Sequence, residues 1–197
     1  MDMYKNIIML MLVVVSLTTQ AQTLDAVISR WDDEYTEWDI YTLEGDQEVY
    51  EEDGEEVIAI EPSGQLVMRW QEDRNWKEWD FAVDDMIGSA RQLWADDPTQ
   101  WEIRLGNEVV TCRAAWRNDP SEWRITNNRK TLTWRSQHPR NFSAWKLRGD
   151  TYGRFVVHTT YVNDPRDWTI IDELDDEIPF AMKMAMTFLA IYHSVDK

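Results

Sequence analysis

An aromatic residue, a turn and then a tryptophan recur four times between Trp94 and Trp168. The copies read WADDPTQWEI at 94–103, WRNDPSEWRI at 116–125, WRSQHPRNFSAWKL at 134–147 and YVNDPRDWTI at 161–170. The second tryptophans, Trp79, Trp101, Trp123, Trp145 and Trp168, step by 22, 22, 22 and 23 residues. A period of that length marks a repeated supersecondary unit. Two families of turn dipeptides share it. One falls between the paired aromatics, as Asp32-Asp33, Asp53-Gly54, Arg74-Asn75, Asp97-Pro98, Asp119-Pro120, His138-Pro139 and Asp164-Pro165. The other follows each apolar run, as Gly45-Asp46, Ser63-Gly64, Asp84-Asp85, Gly106-Asn107, Asn127-Asn128 and Gly149-Asp150. Most of these pairs tolerate positive φ or pre-set a reversal, so the two families mark opposite ends of one sheet.

Between the turns, residues alternate with period two. Trp101, Ile103 and Leu105 share one face while Glu102 and Arg104 take the other; Trp123 and Ile125 oppose Arg124 and Thr126. That is antiparallel sheet with one apolar and one solvated face. Leu24 to Trp31 fits either a strand or a short helix. Trp38 lies 41 residues before Trp79, room for a degenerate copy in which Tyr50 and Val57 replace the tryptophan pair. The count predicts a mainly β fold, an antiparallel meander of about 12–14 strands. A sheet of that length curls. A barrel of about twelve strands is too wide for its own side chains to fill.

The chain supplies a filler. After the acidic run 172–177 comes IPFAMKMAMTFLAIYHSV at 178–195, apolar on every side with Lys183 its one charge apart from the titratable His193. The acids and Pro179 suit a helix start. Such a helix wants burial all round, and at 1.5 Å per residue it spans about 25 Å. The expectation is a helix inside the barrel or plugging it; Lys183, His193 and the marginal length argue against a transmembrane tail.

Residues 1–22 read as an export signal: Lys5 precedes the apolar run Ile7 to Leu17, and Gln20-Ala21-Gln22 resembles a cleavage site. Residues 23–197 then form a single domain, expected to be extracytoplasmic, periplasmic or secreted, with no integral membrane span in the mature chain. Cys112 is the only cysteine, and its spacing from Val110 and Ala114 puts it on the inward face of a strand. The net charge is −17: residues 23–102 carry −19, 103–165 carry +6 and 166–197 carry −4. That balance argues against a nucleic-acid partner and against anionic membranes.

The W-x-I strand openings at Trp101, Trp123 and Trp168, the Gly/Asn hairpins and the 178–195 helix together resemble the tubby-like fold, most closely its LURP-one-related branch. The resemblance covers nearly all of the chain beyond residue 22 at the level of architecture. It implies a barrel closed round a C-terminal helix. Tubby proteins bind phosphoinositides through basic residues and scramblase relatives act at membranes; the expected export and the acidity depart from both, so no binding residue carries over.

Chemistry is sparsely signalled. His138, His158 and His193 have no ligand-like neighbours at metal spacing, and the acid-rich stretch Glu44 to Glu61 lacks the ligand positions of a calcium loop. No catalytic residue, metal site or cofactor is nominated. The one surface feature with shape is basic: Arg104, Arg113, Arg124, Arg135, Lys146 and Arg148 all project opposite the tryptophan face on neighbouring strands. They form a stripe for an anionic glycan, peptide or protein, or they are compensated by Glu102, Glu122 and the acidic N-terminal half. The tryptophans read as core, except Trp76, which falls outside the repeat phase and is the candidate exposed aromatic. These features predict a non-catalytic binding or structural module for an anionic or glycan-like partner. A carrier of a lipid or hydrophobic ligand is the alternative, and a carboxylate-dependent hydrolase the third reading.

Overall fold

The structure, a computed structural model, describes residues 22–52, 55–95, 97–138, 141–162 and 164–195. The side chains of 48–59 lie outside that description, as does the expected export signal apart from Gln22. Fourteen strands form: β1 (Leu24–Ser29), β2 (Glu37–Thr42), β3 (Gln47–Glu52), β4 (Glu55–Ile60), β5 (Gly64–Met68), β6 (Glu78–Val83) and β7 (Met86–Trp94), then β8 (Asp97–Leu105), β9 (Glu108–Trp116), β10 (Asp119–Thr126), β11 (Thr131–His138), β12 (Asn141–Leu147), β13 (Gly153–Thr159) and β14 (Asp167–Leu174). The helix α1 spans Phe180–Ser194. The ambiguous first segment is a strand, bonded to β2 on one side and β14 on the other.

Twelve strands close into a barrel in the order β1-β14-β13-β12-β11-β10-β9-β8-β7-β6-β5-β2. The meander is broken once, where β2 pairs directly with β5 and the hairpin β3–β4 stands apart as its own two-stranded sheet. The stretch around Tyr50 and Val57 is therefore no barrel copy. Glutamates face one another across its register at Glu51–Glu56 and Glu52–Glu55. Counted round the ring, the β2–β5 seam from which the hairpin emerges lies opposite β10 and β11.

The inward positions are those the alternation predicts. Trp38, Trp79, Trp101, Trp123, Trp134, Trp145 and Trp168 are all buried. Each except Trp134 sits in one repeated device. The indole N–H donates to the carbonyl three residues earlier: Trp38 to Tyr35 (3.2 Å), Trp79 to Trp76 (3.0 Å), Trp101 to Pro98 (3.0 Å), and Trp123, Trp145 and Trp168 to Pro120, Phe142 and Pro165 (2.7 Å each). The residue before that carbonyl is often Asp or Asn, whose side chain accepts the backbone N–H two residues on, as Asp97 does from Thr99, Asp119 from Ser121, Asn141 from Ser143 and Asp164 from Arg166. Those Asx turns coincide with register shifts in the β7–β8, β9–β10 and β11–β12 ladders. A bulge frees backbone groups from the ladder, and the indole bonds one of them.

The Asp-Pro dipeptides are thus not the reversals themselves. Trp94 pairs with Asp97 and Trp116 with Asp119, so the chain turns between them, at Arg117-Asn118 in the second case, with Asn118 at φ +64°. Proline enters as the second residue of the returning strand, where a bulge tolerates its missing N–H.

Every residue of α1 from Ala181 to Tyr192 is buried. Its rings meet the wall on several strands: Phe188 lies 6.0 Å from Trp79 and 4.9 Å from Trp101, Tyr192 lies 4.6 Å from Trp101, and His193 lies 5.1 Å from Trp123. Ser194 Oγ donates to the Phe142 carbonyl on β12 at 2.6 Å. The helix therefore packs against the barrel's inner face, starting near the end of β14 and finishing at the end where β7, β9 and β11 turn back. The acidic run does not cap it. Its first turn holds no acid and its N-cap is Pro179. Asp172 and Glu173 are drawn into β14 instead, because β13 offers partners through Phe155 and Arg154.

Lys183 faces the wall and forms a buried ion pair with Asp172 at 2.8 Å, and also donates to the Gln22 carbonyl at 3.0 Å. Asp172 accepts in addition from the backbone N–H groups of Leu24 and Leu174. Removing one member of such a pair leaves an uncompensated charge. Lys183→Met is expected to cost about 3–5 kcal/mol, and Lys183→Met with Asp172→Asn to recover at least about half of it. The tryptophans supply a second test. Trp123→Phe should cost about 3 kcal/mol through lost volume and a lost bond. Trp134, whose indole nitrogen has no hydrogen-bond partner among the described residues, should tolerate Phe at about 1 kcal/mol less. Urea denaturation midpoints decide both; equal losses at 123 and 134 would show that the indole bond contributes nothing.

Candidate functional site

The outer wall carries the basic stripe, and the register shows how it is assembled. Arg113 on β9 lies directly opposite Arg124 on β10, and Arg135 on β11 directly opposite Lys146 on β12. Arg124 faces Thr133, one diagonal step from Arg135. The four cations thus run over β9 to β12, with Glu122 of β10 set directly opposite Arg135. Like charges placed directly across a ladder repel.

Two members of the expected stripe are neutralised. Arg104 bonds Glu102 at 2.7 Å, a carboxylate that Arg91 also holds at 2.7 Å, and these two arginines keep its pKa below the usual range. Arg148 reaches Glu122 at 4.0 Å. Arg113, Arg124, Arg135 and Lys146 enter no ion pair among the described residues. Compensation therefore accounts for the ends of the stripe and not for its middle. Of the acidic N-terminal half, Glu102 on β8 reaches the stripe's edge, whereas the β3–β4 hairpin, with six acids and no base between 47 and 60, leaves the ring on the far side.

The stripe leads into a cleft. Arg113 lines a recess of about 620 Å³ at the end of the barrel where α1 finishes, together with Trp116, Arg117, Gln100, Pro120 and His193. Asp97, also on its wall, is engaged: Thr99, through its hydroxyl and then its backbone N–H, and Gln100 hold its pKa below the ordinary carboxylate value. It is ionised at neutral pH and cannot act there as a general acid.

Trp76 is not the exposed aromatic. It is half-buried, lies 5.6 Å from Trp79 and lends its carbonyl to that indole. Its place in the repeat is that of Pro98, Pro120 and Phe142, so it is in phase after all. The exposed tryptophans are Trp31, Trp70, Trp94 and Trp116, at 52%, 51%, 63% and 66% exposure, joined by Tyr161 at 62%. Only the second aromatic of each pair is core. Trp134 is likewise misplaced by the sequence alignment of copies: it is an inward residue opposite Trp123, stacked on Trp145 at 6.1 Å, and His138, paired with Asn141, takes the place of Trp94 and Trp116. The exposed residue lies seven before the buried tryptophan in five units, 31 and 38, 94 and 101, 116 and 123, 138 and 145, 161 and 168. That constant spacing was the signal available in the sequence.

The histidines do not converge. His138 is exposed at the end of β11, His158 lies beside the Thr159 carbonyl on β13, and His193 packs between Trp123 and Tyr192. Among the described residues no group of His, Cys, Asp or Glu is arranged to hold a metal ion. No helix among them is long and apolar enough to cross a membrane, which says nothing of strands. Inside the wall α1 is buried from Ala181 to Tyr192.

Comparison with protein-family models, with curated proteins and with solved structures finds no match to this chain.

Cys112 is buried, and burial pushes its thiol well above the ordinary value. The thiolate is the reactive species, so the native protein should resist a maleimide for hours and take up one equivalent within minutes in denaturant. Mass spectrometry of the adduct checks this; prompt labelling of the native protein would place Cys112 in reach of solvent.

Proposed function

We propose that this protein is an exported, non-catalytic binding module that takes an anionic, glycan-like partner on the outer wall of β9 to β12. The observation that carries the reading is the unneutralised row Arg113, Arg124, Arg135 and Lys146. Direct cross-strand juxtaposition of like charges costs up to about 1 kcal/mol per pair. A carboxylate- or sulfate-bearing chain laid across the row would offset that cost, since arginine forks match such groups bidentately. The fold also separates charge across its width, with the acidic hairpin on one side and the basic wall on the other. Such a field steers a polyanion toward the wall.

Replacing Arg124, Arg135 and Lys146 together by glutamine should abolish retention on an anionic polysaccharide resin. It should leave the melting temperature unchanged or slightly higher, because the repulsion goes with the charges. Wild-type retention should fall steeply between 50 and 500 mM NaCl, about the range over which salt screens exposed charges. Unchanged retention in the triple variant would overturn this assignment of the wall.

A further inference from the structure

Trp94 and Trp116 occupy the same position in adjacent hairpins, each the last residue of its strand before the reversal. Both continue the inward-facing alternation, Ala90-Gln92-Trp94 and Cys112-Ala114-Trp116, and yet both are exposed. The reason is geometric. The wall runs on past the last turn of α1, so these side chains have no helix to pack against. They stand on the rim of the barrel mouth: Trp116 lines the cleft with Arg113, Arg117 and Gln100, and Trp94 pairs with Asp97, another residue of its wall.

We infer that this rim and cleft are a saccharide subsite, and that the wall's anionic partner is a polysaccharide of carboxylated pyranose units. The inference rests on the proposed anionic partner of the wall and identifies its chemistry. β7 and β9 are separated by one intervening strand, so Trp94 and Trp116 lie about 10 Å apart at the backbone. Two linked pyranose rings span that distance. The C–H face of a sugar is apolar and packs on an indole, while its hydroxyls and carboxylate stay wet, which suits a ring that is two-thirds exposed. Arg113 and Arg117 are placed to meet the carboxylate of the unit seated in the cleft. Gln100 supplies an amide for hydroxyls. From Arg113 the chain passes directly to Arg124, its cross-strand neighbour, and on to Arg135 and Lys146. A polyanionic peptide would satisfy the arginines and leave both indoles unused.

Titration calorimetry with polygalacturonate, with poly-L-glutamate and with uncharged dextran tests the assignment. The wild-type protein should bind polygalacturonate at least about tenfold more tightly than polyglutamate of equal charge, and dextran weakly. Trp94→Ala with Trp116→Ala, at exposed sites that leave the melting temperature in place, should collapse that preference by about tenfold or more. Arg124→Gln, Arg135→Gln and Lys146→Gln together should weaken both polyanions. An unaltered preference in the tryptophan variant, or equal affinity for the two polyanions in the wild type, overturns the saccharide subsite while the basic wall stands. Absence of binding to either polyanion overturns both.

Discussion

A ring of twelve strands encloses more space than its own inward side chains fill, and the rest of this structure follows from how that space is occupied. The wall contributes the largest side chain available, tryptophan, at seven inward positions. The helix contributes small and adaptable ones, alanine and methionine, with Phe188 and Tyr192 reaching the Trp101 ring. Large residues on the wall against small ones on the helix let the two surfaces approach closely. An indole buried this way brings an N–H with it, and a buried donor must be satisfied. For six of the seven, every one but Trp134, the carbonyl three residues earlier answers that demand, and ahead of Trp101, Trp123 and Trp145 a bulge frees it from the ladder. The Asp-Pro and Asn-Phe dipeptides of the repeat are therefore read as bulge chemistry in the service of the core, and the reversal of the chain falls two residues earlier.

The exterior shows a different economy. Exposed ion pairs contribute little, and several are present, such as Arg69 with Glu78 at 2.9 Å and Arg166 with Asp164 at 2.7 Å. Against that background the middle of the basic row is anomalous. Its four cations stand in two like-charged cross-strand pairs, and Glu122, which lies opposite Arg135, enters no ion pair with any of them among the described residues. A surface selected only for solubility would be expected to intersperse them with acids. Six acids with no base fall instead on the hairpin that leaves the ring at the opposite seam.

Much of the architecture was legible in the sequence because two independent periods agreed. Alternation identified the inward set, and the 22-residue step implied a closed meander; the apolar run beyond 178 named the filler. What was illegible has specific causes. The β3–β4 hairpin alternates like any strand pair, and nothing local says that β2 bonds β5 directly. Trp134 and Trp116 both lead a copy of the motif, and only the register tells that one faces a partner tryptophan while the other overhangs the rim. The acids before α1 carry the composition of a helix start, but backbone partners on β13 extend the strand through them. The candidate site divides in the same way. The cations could be listed from period two, whereas their pairing could not: Glu102 and Glu122 each lie two residues before an arginine on the same face, yet Glu102 bonds Arg104 while Glu122 reaches Arg148 instead.

Lys183 bears on how the molecule comes together. Its ammonium group meets Asp172 from the last strand and the carbonyl of Gln22 just ahead of the first, and Asp172 in turn receives the Leu24 N–H. The two strands that close the ring and the helix that fills it are joined at one buried point, across sequence separations of 148 and 161 residues. Contacts of that range are slow to form, because loop closure precedes any gain from packing. Circularisation of the sheet and insertion of its core are then a single late event. Until α1 has left the ribosome, the wall has nothing to close around.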